Sequence, residues 1–132
     1  MGTRSNRQKI TIALLVFLIA TVACSITGQK KSPSIIGTWN AGVQGTALSF
    51  VFDGSGGFTY SMNGQEVAKG QYAVIDTLQP IGIDLLYSGD NGGIFTIIEF
   101  PDSNTLKMEN NAPGALRPTQ FKDIMVFTRS YP

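Results

Sequence analysis

The sequence predicts an all-β domain, a small eight-stranded antiparallel up-and-down barrel set behind a signal-peptide helix and a flexible tether. Three observations carry this. Turn-forming clusters recur at short intervals from Ile35 onward: Asp53-Gly54-Ser55-Gly56-Gly57, Asn63-Gly64, Asp76 to Pro80, Ser88 to Gly93, Pro101 to Asn104 and Asn110 to Gly114. Between them lie short runs rich in β-branched and aromatic residues, the signature of strands. After Cys24, no stretch keeps a helical period for three turns, so at most a short helical turn fits near Asn40 to Gly45 or Arg117 to Asp123.

The leader comes first. Arg4, Arg7 and Lys9 precede an apolar run from Ile10 to Ala20, and Thr21-Val22-Ala23-Cys24 follows. Basic, then apolar, then small is the order of a secretory signal. The run loses its strongly apolar character after Ala23, which argues against a transmembrane span needing about 20 apolar residues. Cys24 is the one cysteine of the chain. Ser25 to Ser34 is polar apart from Ile26 and suits a flexible tether of roughly 15 to 20 Å. The expected organisation is a signal peptide over 1–23, a lipidated Cys24 with linker over 24–34, and a barrel over 35–131.

Strands are expected near residues 36–41, 46–52, 58–62, 66–75, 81–87, 94–100, 105–109 and 121–129. Asn63-Gly64 is the clearest hairpin, since both residues accept the positive φ of a type I′ turn. Alternation assigns faces. Leu48, Phe50 and Phe52 share one side; Phe58, Tyr60 and Met62 another; Ile81, Ile83, Leu85 and Tyr87 a third; Leu106 and Met108 a fourth. Residues 94–100 are apolar on both faces, so either another segment covers the outside or the outside is a contact surface. One-sided strands must close on themselves or pack on a second sheet. A flattened sandwich is the competing fold, and pairing of the first and last strands separates the two.

Composition narrows the function. Past the leader the chain carries seven basic and nine acidic residues, so no basic footprint for nucleic acid is present. Histidine is absent. His-dependent thiol or serine catalysis cannot be built, and zinc lacks its usual ligands. Asp84 and Glu99 could pair for acid–base work only if they converge, and alternation points Asp84 outward. The oxygen-rich loop Ser88 to Gly93 lacks the spacing of a calcium loop. The glycines of residues 53–57 join two strands and open no helix, unlike a phosphate cradle. No enzyme activity, metal or cofactor is therefore expected.

Three resemblances to known families add to this reading. Thr21 to Cys24 resembles the lipobox of bacterial lipoproteins, although leucine is common where Thr21 stands. That resemblance implies acylation of Cys24 and a membrane partner held through the lipid. With Ser25 following, it implies the periplasmic face of the outer membrane in a cell with two membranes, and otherwise the outer face of the plasma membrane. Gly37-Thr38-Trp39 opening a strand, an eight-strand meander, and Phe127-Thr128-Arg129 closing it resemble the lipocalin pattern. Leu116 to Phe121 is similar to the Arg-Pro-x-x-Phe segment of small lipocalin-like domains in exported bacterial proteins.

The lipocalin resemblance implies structural roles for Gly37, Trp39 and Arg129, with the Arg129 guanidinium across the Trp39 ring at the closed end of the barrel. It also implies a small apolar or amphipathic ligand. The inward candidates to line its site are Phe50, Phe52, Phe58, Tyr60, Leu85, Tyr87 and Met108. Arg117 either anchors an acidic ligand group at the mouth or ties its own loop to backbone carbonyls. These side chains are bulky, and an eight-stranded barrel can equally be filled. A filled barrel would instead suit a protein-interaction module, such as a protease inhibitor or envelope assembly factor, docking through the outer face of residues 94–100.

Overall fold

The computed structural model describes residues 32–88 and 92–131. The expected signal peptide, Cys24 and most of the expected tether lie outside the described residues, as does the centre of the Ser88–Gly93 loop. Eight strands follow one another: β1 (Gly37–Val43), β2 (Thr46–Phe52), β3 (Gly57–Met62), β4 (Gln65–Ile75), β5 (Ile81–Tyr87), β6 (Ile94–Asp102), β7 (Thr105–Glu109) and β8 (Ile124–Ser130). Each pairs antiparallel with the next, and β1 pairs with β8 through Thr38↔Ser130, Trp39↔Arg129 and Asn40↔Thr128. The sheet closes into an up-and-down barrel and leaves no free edge. The sandwich is thereby excluded.

Local chemistry explains the hairpins. Asn63 and Gly64 take φ of 49° and 80°, the two positive values of a type I′ turn. Gln44 and Gly45 do the same at 50° and 79°. The segment around Asn40 to Gly45 is therefore not a helical turn: β1 runs on to Val43, which pairs with Thr46. At the Asp53 corner, one carboxylate oxygen accepts from the amides of Ser55 (2.9 Å) and Gly57 (2.7 Å) and from the Ser55 hydroxyl (2.9 Å). A Cβ on Gly57 would lie 2.5 Å from that carboxylate. The glycines here serve a side-chain-closed turn.

The last strand begins at Ile124, not at residue 121. The amides of Lys122 and Asp123 are taken by the Glu109 carboxylate at 2.8 and 2.9 Å, which holds them off the β7 ladder. No helical turn forms at Arg117 to Asp123.

The two ends of the barrel differ. At the end where β1 starts, Trp39, Phe52, Leu106 and Phe127 are fully buried, with Ile35 and Phe58 packed on them. Phe52 meets Tyr72 edge-on at 5.0 Å, and Trp39 lies 5.9 Å from Phe100. The opposite end carries smaller inward residues, Ala41, Ala68 and Thr96 among them. Phe50 sits at the boundary, stacked on Tyr60 at 4.5 Å and edge-on to Phe127 at 5.4 Å.

Candidate functional site

Above that boundary the interior is hollow. A cavity of about 310 Å³ opens at the end of the barrel opposite Trp39. Its floor and one wall come from Phe50, Phe58 and Tyr60 on β2 and β3, with Val67 and Ala68 of β4 beside them. Leu85, Tyr87, Ile94 and Thr96 of β5 and β6 form the next wall. Met108 and Met125 of β7 and β8 complete it, and Glu109, Asn110 and Asn111 stand at the rim. A hollow of about 320 Å³ lies towards the other end, but Ser32, Pro33, Gln79, Pro80 and Phe121 make up much of its wall. Concave, preformed, largely apolar walls characterise ligand sites, and the upper cavity, walled by inner strand faces, has them.

Six of the residues singled out from the sequence, Phe50, Phe58, Tyr60, Leu85, Tyr87 and Met108, line this cavity. Two do not. Phe52 points inward but lies below Phe50, stacked on it at 5.4 Å as part of the filled end. Arg117 is on the outside of the barrel, so it cannot anchor a ligand at the mouth. One of its terminal nitrogens donates to the carbonyls of Thr96 (2.8 Å) and Ile83 (3.2 Å), and the other meets the Asp84 carboxylate. It reaches them by crossing Gly82, where a Cβ would come within 2.9 Å of the guanidinium.

Arg117 belongs to a strap, residues 110–123, laid over the outer face of β5 and β6. Asn111 donates to the Phe95 carbonyl at 2.7 Å and to the Leu116 carbonyl at 3.0 Å, and Gly114 N–H to the Gly93 carbonyl at 2.9 Å. Asn110 is tied to Asp123 through both backbone and side chain. The outward-pointing Ile97 is consequently only 1% exposed. The second apolar face of residues 94–100 is thus covered by the chain itself and offers no bare contact surface. Asp84 is engaged by Arg117, while Glu99 faces Lys107 at 3.8 Å; the two carboxylates do not form a pair with each other.

Sequence reasoning missed several lining residues. Ile94, Thr96 and Met125 follow from simple alternation with Ile98 and Phe127. Ala68 does not, because a bulge shifts the register between Tyr60 and Ser61. Alternation with Met108 would put Glu109 on the wet face, yet it is 5% exposed because the strap folds over it. Its carboxylate is answered by the two strap amides, and Thr96 Oγ1 donates to its carbonyl at 2.7 Å. Burial raises the Tyr60 phenol above its ordinary value, so its hydroxyl stays a neutral donor. Among the described residues, no group of carboxylates, histidines or cysteines is arranged to hold a metal.

At the closed end the Arg129 guanidinium lies 4.1 Å from the Trp39 ring centroid. Its nitrogens donate to the carbonyls of Ser34 (2.7 Å), Ile36 (2.8 Å) and Ser103 (2.9 Å), and Trp39 Nε1 donates to the Ile35 carbonyl at 2.7 Å. Each of the three guanidinium nitrogens donates to a backbone carbonyl, which makes this a lock. Compared with known proteins, the chain matches no family model, no curated protein and no solved structure.

Proposed function

We propose that this is a lipid-anchored, exported, lipocalin-like binding protein that catalyses nothing and holds a small apolar or amphipathic molecule in the upper cavity of its barrel. The observation that carries the reading is the cavity itself: about 310 Å³, enclosed by the inner faces of the strands. That size meets the lower bound of roughly 300 Å³ for small-molecule sites. The anchor reading rests on the leader and on Cys24 at its end. Ser34, tied to Arg129 at the filled end, is where the tether joins the barrel. The mouth of the cavity therefore lies at the end of the barrel opposite Ser34.

The alternative, a filled barrel serving as a protein-interaction module, draws less support. The interior has unfilled space, and Ile97, the centre of the supposed outer docking face, lies beneath the strap.

The test is titration of the full chain with the neutral fluorophore N-phenyl-1-naphthylamine. Saturable binding at one site per chain, abolished by Ala68→Phe with the fold intact by circular dichroism, is the expected result. Absence of saturable binding would sink the ligand reading. For the anchor, an alkyne-tagged palmitate should label the wild-type protein in cells and not C24S; equal labelling would refute it.

A further inference from the structure

We propose that the upper cavity takes an uncharged molecule, an apolar body with a hydroxyl or carbonyl head, and turns away carboxylates and ammonium ions of the same length. This rests on the reading of that cavity as a ligand site and names the class of its ligand.

The first support is where the charged groups of the wall stand. Among the described residues, Glu109 is the one charged residue bordering the cavity. Its carboxylate lies on the far side of the wall, accepting from the strap amides of Lys122 at 2.8 Å and Asp123 at 2.9 Å. Asp84 engages Arg117 on the outer face, and Glu99 faces Lys107 there. Lys69 pairs with Thr59 and Glu66 with Ser61, and by alternation these side chains point away from the face that carries Phe58 and Tyr60. Asp123, on the strap, is exposed to water, and its carboxylate accepts from the Asn110 amide at 3.0 Å. A carboxylate or an ammonium group carried inside would therefore lose its water and gain no counter-charge. Such a transfer is costly for either sign, and an ionisable group escapes it by becoming neutral. Burial already acts in this direction on Tyr60, whose phenol is raised above its ordinary value.

The second support is what the wall does offer. Leu85, Ile94, Met108 and Met125 supply apolar surface for the body of the ligand. Tyr60 and Tyr87 each bring a phenol hydroxyl, able to donate to a carbonyl or to exchange hydrogen bonds with an alcohol. The two tyrosines stand on either side of β4, where Tyr60 pairs with Ala68 and Tyr87 with Gly70. At those two levels β4 places no large side chain between the rings. A neutral polar head thus finds hydrogen-bonding partners inside, which is the condition for burying it without penalty.

The experiment uses three probes with one chain length and different heads: 1-heptanol, heptanoic acid and heptylamine. Each is titrated into the full chain carrying ¹³C-methyl methionine, and the Met108 and Met125 methyl signals report occupancy of this cavity. The range runs from about pH 5 to about pH 8, above a carboxyl pKa of about 4.3 and below an alkylammonium pKa of about 10.4. The alcohol should bind with one affinity throughout, which makes it the control for any change in the protein. Heptanoic acid should weaken about tenfold for each pH unit as its neutral fraction falls, and heptylamine should strengthen by the same factor as its neutral fraction grows. Near neutral pH the alcohol should be at least about tenfold tighter than either ion, one decade corresponding to about 1.4 kcal/mol. Heptanoate affinity that stays flat across the range, or heptylammonium binding as tightly as the alcohol, would overturn the inference and leave the cavity as a ligand site. If none of the three moves the two methyl signals, the ligand reading falls, and the inference with it.

Discussion

Ala68→Leu separates a hollow barrel from a filled one by the sign of its effect on stability. Ala68 lies on β4 opposite Tyr60, faces inward, is half-buried, and lines the cavity wall. Leucine adds three carbons. At about 0.8 kcal/mol per buried methylene, full burial would contribute roughly 2.4 kcal/mol; at a half-buried position about half of that is realised. Ordering a leucine side chain costs about 0.5 to 1 kcal/mol. The net expectation is a change between zero and about 1 kcal/mol in favour of the folded state. In a close-packed interior the same carbons would force neighbours off their rotamers, at a cost of about 1 to 3 kcal/mol. Urea unfolding of wild type and A68L, followed by the emission of Trp39, measures the difference, and N-phenyl-1-naphthylamine titration of A68L should show weaker binding. A loss of more than about 1 kcal/mol would mean that the space beside Ala68 does not exist in solution, and the argument built on the cavity would fail.

Three further outcomes follow from the contacts outside the cavity. Arg117→Ala should cost about 2 to 3 kcal/mol, since it frees the strap and strips partners from the partly exposed Asp84 and two carbonyls; a double-mutant cycle with Asp84→Ala should return a coupling near 1 kcal/mol, and a loss under about 0.5 kcal/mol for R117A would show the strap held without it. Arg129→Lys keeps the charge but not the planar fork that reaches three carbonyls and covers Trp39, so urea unfolding should show about 1 to 2 kcal/mol lost together with a changed near-ultraviolet signal of the single tryptophan; an unchanged signal and midpoint would deny the lock. The Asp53 carboxyl is held below its ordinary value chiefly by the Gly57 amide, then by Ser55, so its contribution to stability is present above the unfolded pKa and disappears as pH falls through the depressed folded value. Wild type should therefore melt above D53N at neutral pH, and the two curves should converge in strong acid; parallel curves across the whole range would contradict that assignment.

Much of the fold was legible because its signals are local. Gly-, Asn- and Asp-rich turns mark where each strand stops, and two-residue alternation of Phe50, Phe52, Phe58, Tyr60, Leu85 and Met108 says which side faces in. Three features were not legible, each for a non-local reason. The Asn63-Gly64 turn sets Met62 against Gln65, and counting back would set Tyr60 against Val67; the bulge between Tyr60 and Ser61 places Ala68 there instead. Nothing in the residues around it announces the extra position. Glu109 follows Met108 and alternation makes it a wet residue, but a strap arriving from residues 110–123 covers it and its carboxylate takes two amides from that strap. Arg117 was open between two roles because the sequence does not say on which side of the wall its loop returns. Gly82 carries the trace of the answer: on β5 between Ile81 and Ile83, it leaves the outer groove that the guanidinium occupies.

The placement of large residues along the barrel explains how one interior is both core and cavity. A domain with no disulfide among its described residues must hold together by burial, and an empty barrel would forfeit that. Here the lower half concentrates Trp39, Phe52, Phe58, Phe127, Ile83 and Leu106, all nearly or fully out of water. The ring-on-ring contacts of Phe50 with Phe52, Phe58, Tyr60 and Phe127 close that half off from above. The upper half keeps large side chains on its walls, Leu85, Tyr87, Ile94, Met108 and Met125 among them, but places Ala41, Ala68 and Thr96 inward as well, which leaves space between them. Strand pairing continues to the rim regardless, because backbone hydrogen bonds close the barrel independently of what fills it. Stability is concentrated at the end where β1 starts, and the space is left at the end that opens. Enlarging a side chain at the rim therefore tests binding, whereas enlarging one beside Trp39 tests folding.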